Sequence, residues 1–123
     1  MTAGVTVTGN SNLVLQGLNT TAQVSGAWQG AGVTINAASI QVDSGSTINA
    51  DGQGYVAGAG PGGATVNSSA GGSDGGLGGD GYPNIAPGPI YGSLTAPTDL
   101  GSGGSARVTA EVGGAGGGAR SLG

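Results

Sequence analysis

Acidic side chains are the main carriers of chemistry in this chain. Among 123 residues, six are Asp or Glu and two are Arg, and there is no Lys, His or Cys. Without His or Cys there is no Ser-His-Asp triad, no thiol nucleophile, and no zinc or haem site of the usual kind. The formal net charge of −4 also excludes the basic surface that binds nucleic acid. The composition therefore predicts a protein that is not an enzyme and has no nucleic-acid partner.

Calcium is the metal that the acids could bind. Segment 75–83, GGLGGDGYP, fits the calcium β-roll nonapeptide G-G-x-G-x-D-x-U-x and contains Asp80. Calcium takes about six to eight oxygen ligands, which a β-roll collects from neighbouring turns, and only one copy of the nonapeptide is present. A Gly-rich turn with a solvated Asp80 is therefore favoured, and no cofactor is predicted. Calcium held by Asp80 or Asp51, or elsewhere through Asp43 or Asp99, is the alternative.

Sugar chemistry would use carboxylate pairs or exposed aromatic rings. Asp43 and Asp51 are the one pair that a shared face could hold for glycoside hydrolysis, which needs carboxyl groups about 5–9.5 Å apart. Solvated acids in turns are the favoured interpretation of both. A glycan-binding module would instead present aromatic rings, and the sequence has four candidates for ligand contact. They are Trp28, Tyr55, Tyr82 and Tyr91.

Short alternating segments must position these side chains. In each segment apolar residues alternate with polar ones, and Gly, Asn or Ser follows, which predicts short strands closed by tight turns. The first three begin 8 and 9 residues apart and the next three begin 7 and 7 apart. Three strands at near-constant spacing, repeated once, predict two coils of a right-handed parallel β-solenoid. An antiparallel meander of hairpins fits the same lengths. The six segments are 5–8, 13–16, 22–25, 33–36, 40–43 and 47–50.

Stacking of the two predicted coils would build a narrow apolar core. In that arrangement Val5 lies over Val33, Leu13 lies over Ile40, and Val24 lies near Ile48. One coil cannot bury its inner face alone, so like residues stack along the axis.

Glycine dominates the chain after residue 51. Gly72, Gly75, Gly78 and Gly81 follow a three-residue spacing, which predicts packed extended segments like those of polyglycine II. A flexible Gly-rich loop is the alternative. The chain is thus predicted to be a single domain, 1–123, of two to three coils. Its parts are the first coils (1–51), a Gly-rich insert (52–105), a returning strand (106–112) and the start of a second Gly-rich segment (113–123).

Several segments together resemble a known repeat. The strand STINADGQGY (46–55) leads into a Gly-rich stretch that continues through GGLGGDGY (75–82), IYGS (90–93) and PTDLGSGG (97–104). This order resembles the glycine-rich β-helix repeat of large bacterial surface and adhesin-like proteins, which also occurs in plant glycine-rich membrane-anchored proteins. Gly-rich phage tail-fibre adhesins are a looser resemblance. The resemblance implies a repetitive extracellular β-solenoid and brings no catalytic residues.

The predicted function is a non-catalytic structural or adhesive module of an extracellular or cell-surface protein. The predicted partners are neighbouring modules or copies of the chain, stacked end to end into filaments, and surface glycans. No apolar run approaches the roughly 20 residues of a membrane span, so no membrane insertion is expected and the export signal is expected outside this chain. Alternatives are a glycan-binding or polysaccharide-acting β-helix module, a phage tail-fibre adhesin, or an ice-binding protein. The ice-binding alternative depends on a column of Thr6, Thr34, Thr47 and Thr109.

Overall fold

The structure, a computed structural model, describes residues 3–122 and is built largely of coil and turns. Six strands of three residues each form, most of them where β-branched residues alternate with polar ones. Within residues 3–122 no helix is long and apolar enough to cross a membrane. The strands are β1 (Val5–Val7), β2 (Asn12–Val14), β3 (Val33–Ile35), β4 (Ile40–Val42), β5 (Thr47–Asn49) and β6 (Arg120–Leu122).

The strands form three separate two-stranded parallel sheets. They pair β1 with β4, β2 with β5, and β3 with β6. Val5 lies opposite Ile40 and Leu13 lies opposite Ile48. Backbone bonds extend each ladder beyond the strand ends, as where Val5 N donates to Ser39 O at 2.9 Å.

The predicted right-handed parallel β-solenoid of two to three coils is wrong. The strands are small parallel pairs, and their partners differ from the predicted ones, because Val5 faces Ile40 rather than Val33. The physical reason lies in the apolar residues of the first 50 positions. Among those in residues 3–50, only Val7 and Leu15 are buried, whereas Leu13 and Val42 stay exposed. With so little buried apolar surface, no continuous inner core connects the strand pairs.

Two further predicted strands are also absent from the described part of the chain. Segment 22–25 forms a tight turn, in which Val24 and Ala27 exchange backbone hydrogen bonds of 2.9 and 3.1 Å. Ser25 there has a φ of 51°, which ends any strand. Segment 106–112 consists of bends and turns, with Glu111 N donating to Val108 O at 3.0 Å. The strand that returns to the first part of the chain is β6 instead.

The Gly-rich region is organised around residues 101–106, here called the central segment. It hydrogen bonds to four other stretches of coil: Gly103 N donates to Ala59 O, and Ala64 N donates to Gly103 O. Likewise Ser105 N donates to Ala70 O and Gly104 N donates to Gly114 O. These backbones lie very close, since a Cβ on Gly116 would overlap the carbonyl oxygen of Gly101. Only glycine permits this approach.

The largest buried side chains join the Gly-rich region to the earlier part of the chain. Tyr55 and Leu100 are 3% and 1% exposed, and Ala59 completes the cluster, with Trp28 packed against it. The Trp28 and Tyr55 rings meet edge to face at 5.3 Å, and the Tyr55 hydroxyl accepts a 2.7 Å hydrogen bond from Gly30 N. These contacts hold residues 28–30 against Tyr55, and thereby against the Gly-rich region.

Candidate functional site

The four aromatic candidates occupy different environments. Tyr55 is buried in the core, so its ring is not free to stack on a ligand, and Trp28 is partly buried and packs against it. Tyr91 is partly buried and hydrogen-bonded inside the Gly-rich region. Tyr82 is 72% exposed. Tyr82 is therefore the most exposed of the four aromatic candidates.

Tyr91 holds a buried serine in place. Its hydroxyl donates to Leu100 O and accepts a 2.9 Å hydrogen bond from Ser102 Oγ, which in turn accepts from Gly62 N at 3.0 Å. Burial, opposed by the Ser102 hydrogen bond and supplemented by nearby charges, raises the pKa of Tyr91 to about 12. The phenol therefore keeps its proton at neutral pH and donates it to Leu100 O as a structural hydrogen bond.

Two acids that lie far apart in sequence meet beside Gly92. A Cβ on Gly92, whose φ is 70°, would lie 2.5 Å from Asp74 Oδ1 and 3.4 Å from Asp99 Oδ2. Burial and, to a lesser extent, the Asp99 charge raise the pKa of Asp74 above its ordinary value, although a hydrogen bond from Gly75 N opposes them. Both acids line a cleft of about 470 Å³. Sequence reasoning missed this pair, because nothing local marks two acids 25 positions apart.

The calcium candidates do not form a ligand cluster among the described residues. Asp80 and Asp51 are exposed. Among the residues described, no group of three or more His, Cys, Asp or Glu side chains comes close enough to hold a metal ion. Asp43 accepts a 2.7 Å hydrogen bond from Gln41 Nε2, and this bond, with one from Thr8, lowers the pKa of Asp43. Asp99 lies with Asp74 rather than with another calcium candidate.

The four threonines of the ice-binding alternative do not share a column. Thr6, Thr34 and Thr47 are exposed but belong to three different sheets, on β1, β3 and β5. Thr109 lies in a turn. Their neighbours across the strands are Gln41, Ser121 and Asn12 rather than other threonines.

Tyr82 has a cationic neighbour that sequence reasoning did not place there. The Arg107 guanidinium carbon lies 5.9 Å from the Tyr82 ring centroid, within the range of a cation–π contact. Arg107 is exposed, like Tyr82. The only available sequence signal was the rarity of cations, because Arg107 is one of two in the chain. The 25-residue separation gave no indication that it would reach Tyr82.

Comparison with protein-family models, with curated proteins and with solved structures finds no match for the chain. The function of the chain is therefore inferred from its own geometry. That geometry offers a tightly packed glycine scaffold, an acidic cleft, an exposed tyrosine beside an arginine, and many exposed apolar side chains.

Proposed function

We propose that this chain is a non-catalytic structural or adhesive module that presents turn side chains from a rigid glycine scaffold. The close packing of the Gly-rich backbones is the observation that carries the proposal. The resemblance to repeats of bacterial surface proteins supports placing the module at a cell surface. Its partners would be neighbouring modules or copies of the chain on the same cell surface, and surface glycans.

Rigidity is expected because several glycine backbones in this region pack with no room for a side chain. A Cβ on Gly103 would overlap Val56 O, and a Cβ on Gly81 would overlap Ser68 O. Gly81, Gly103 and Gly116 are all buried. Serine hydroxyls complete the packing, as where Ser73 Oγ donates to Gly88 O at 2.5 Å and accepts from Gly78 N at 3.0 Å. In the described residues, no buried side-chain polar atom lacks a partner.

Adhesion is favoured by the apolar side chains that the turns expose. Leu94 and Val112 are 81% and 90% exposed, and Val66, Leu77 and Ile90 are also exposed. Burial of such side chains against a partner releases about 25 cal/mol per Å² of apolar surface. The scaffold holds them in fixed positions, so little conformational entropy is lost on contact.

A bead-retention assay tests the adhesive role. Beads that carry the chain are expected to stay on an apolar surface under flow, whereas beads that carry the triple variant Leu77→Ser, Leu94→Ser and Val112→Ser detach. The substituted residues lie outside the core cluster, so the fold should survive, and circular dichroism of the soluble variant checks this. Equal retention of both bead types, or retention no better than that of uncoated beads, contradicts the proposal.

Self-association is a second candidate role, favoured by the open sheet edges. β1 and β4 each have one strand neighbour among the residues described. Val5 N donates to Ser39 O and Asp43 N donates to Val7 O, so the intervening Thr6 directs its backbone groups away from β4. An unpaired edge of this kind accepts a strand from another chain. Because the two edges differ, addition of a second copy would propagate head to tail.

Sedimentation over a concentration series tests this second role. Wild-type mass is expected to rise with concentration, whereas Thr6→Lys stays monomeric because lysine on an edge strand disfavours pairing. Thr95→Lys adds the same charge on an exposed coil position and should associate like the wild type. A wild-type chain that remains monomeric, or a control that dissociates equally, excludes edge pairing.

A further inference from the structure

We propose that Tyr82 and Arg107 form a binding site for an acidic sugar, such as a uronic acid residue of a surface polysaccharide. This inference rests on the proposed adhesive function and names the chemistry of one ligand. Its basis is the position of an accessible aromatic ring and a guanidinium side by side on a rigid support.

The support is the buried segment around Ser68. Tyr82 N donates to Ser68 O at 3.0 Å, and Ser69 N donates to Ala106 O at 3.2 Å. Ser68 itself is fully buried, and its amide donates to Ser105 Oγ at 3.2 Å. The backbone at 68–69 is therefore hydrogen-bonded to the chain on both sides. It holds the turn that carries Tyr82 and the turn that carries Arg107 in fixed relation.

Arg107 keeps its hydrogen-bonding capacity for a ligand. Within residues 3–122 the Arg107 guanidinium contacts the Tyr82 ring, and no carboxylate of that range lies within ion-pair distance. A guanidinium presents a planar fork of N–H donors that matches a carboxylate in a bidentate arrangement. The chain has six acids and only two cations, so an Arg107 without a partner among the described acids favours an external carboxylate.

Tyr82 supplies the second half of the site. The guanidinium lies against the ring, and the 72% exposure of the residue leaves ring surface open to solvent. The C–H face of a pyranose can pack on such a surface while a carboxylate on the same sugar reaches the neighbouring Arg107. Pairing of the carboxylate would also orient the guanidinium over the ring, which stabilises the stacked geometry.

A groove next to the pair can accept the adjoining sugar. It has a volume of about 390 Å³, and its lining includes Asn67, Ala106, Thr109 and Glu111. Asn67 and Ala106 are the chain neighbours of Ser68 and Arg107, so the groove begins at the site. Amide and hydroxyl groups there suit sugar hydroxyls. Glu111 would disfavour a second carboxylate in the groove, which predicts a preference for an acidic sugar beside a neutral one.

Calorimetric titration with a matched pair of probes tests the inference. The probes are an aldobiouronic acid, a disaccharide of one uronic acid and one neutral sugar, and its methyl ester, in which an uncharged ester replaces the carboxylate. The wild type is expected to bind the acid with a Kd of the order of millimolar, and the ester roughly tenfold more weakly. Arg107→Gln should bind both probes equally, whereas Tyr82→Ala should weaken both, and Tyr82→Phe should retain the wild-type affinity because the ring remains.

Leu18→Ala, which shortens an exposed side chain in the first part of the chain, is the control and should bind like the wild type. The inference is overturned if the wild type binds the two probes equally or binds neither up to about 50 mM, well above the expected Kd. It is also overturned if Arg107→Gln keeps the preference for the acid. Bead retention on an apolar surface involves no sugar, so a failure here leaves the proposed adhesive role to be decided by that assay.

Discussion

Two regions of this molecule differ in how far their side chains are buried. Residues 3–50 contain the clearest strand patterns, yet only Val7 and Leu15 of their hydrophobic side chains are buried. Residues 52–119 contain few large apolar side chains, but Tyr55 and Leu100 are almost fully enclosed, together with Ser68 and Ser73. The comparison shows that close packing of glycine backbones can enclose a core where strand patterning does not.

The largest expected effect tests where the core lies. Leu100→Ala should lower the free energy of unfolding by about 3 kcal/mol, because a fully buried leucine leaves a cavity. Leu13→Ala, on the strand region, should cost less than about 1 kcal/mol since Leu13 is already 37% exposed. Urea denaturation of both variants measures the difference. Equal losses would mean that the strand region contributes as much core as the Gly-rich region.

The next effect separates two adjacent glycines. Gly116→Ala should destabilise by about 2 kcal/mol, because its Cβ would overlap Gly101 O in a buried contact. Gly117→Ala has nothing within 4 Å of its Cβ and should be neutral or stabilising by about 0.5 kcal/mol. Thermal unfolding of the pair provides the measurement. If both variants lose stability equally, the close approach of the two backbones is not a source of rigidity.

A smaller effect concerns Tyr91 and high pH. Because the pKa of Tyr91 is raised to about 12 from 10.0, the native state holds its proton more tightly than the unfolded state does. Its contribution to stability is complete below pH 10 and is lost as the pH rises towards 12. Tyr91→Phe should lose about 1 kcal/mol at pH 8 through the lost hydrogen bonds.

Urea denaturation at pH 8 and at pH 11 measures this effect for wild type and Tyr91→Phe. The difference between the two proteins should shrink at the higher pH. Tyr82→Phe is the matched control, because Tyr82 is largely exposed. A stability gap that stays constant with pH would contradict the assignment of a buried, proton-donating phenol.

The smallest effect concerns the acidic pair. The pKa of Asp74 is raised by burial and by Asp99, so ionisation of Asp74 destabilises the native state. The stability present below the ordinary value of 3.8 is lost as the pH rises through the raised pKa. Asp74→Asn should therefore raise the melting temperature slightly at pH 7 and leave it unchanged at pH 3. Asp80→Asn, at an exposed acid, should have no effect at either pH.

The strand positions could be predicted from sequence more readily than their arrangement. Five of the six predicted segments contain an observed strand or overlap one, as at 33–36 and 40–43. The partner choice, the solenoid and the strand at 106–112 were predicted wrongly. Alternation shows that a segment can form a strand, but it does not show which distant edge receives it. Of the two residues of the candidate site, sequence analysis predicted Tyr82 but not Arg107.

The sequence by itself determined the short strands and the tight turns. Its composition, which has no His, Cys or Lys, is the basis of the non-catalytic proposal. The strands and turns depend on residues that are neighbours in the chain. Tertiary structure alone decided which glycines meet another backbone, which of the four aromatics stays exposed, and that Arg107 lies against Tyr82. The physical reason is that a glycine carries no side-chain pattern. Contacts between Gly-rich segments depend on backbone hydrogen bonds and close approach, and these are specified only when the segments are assembled.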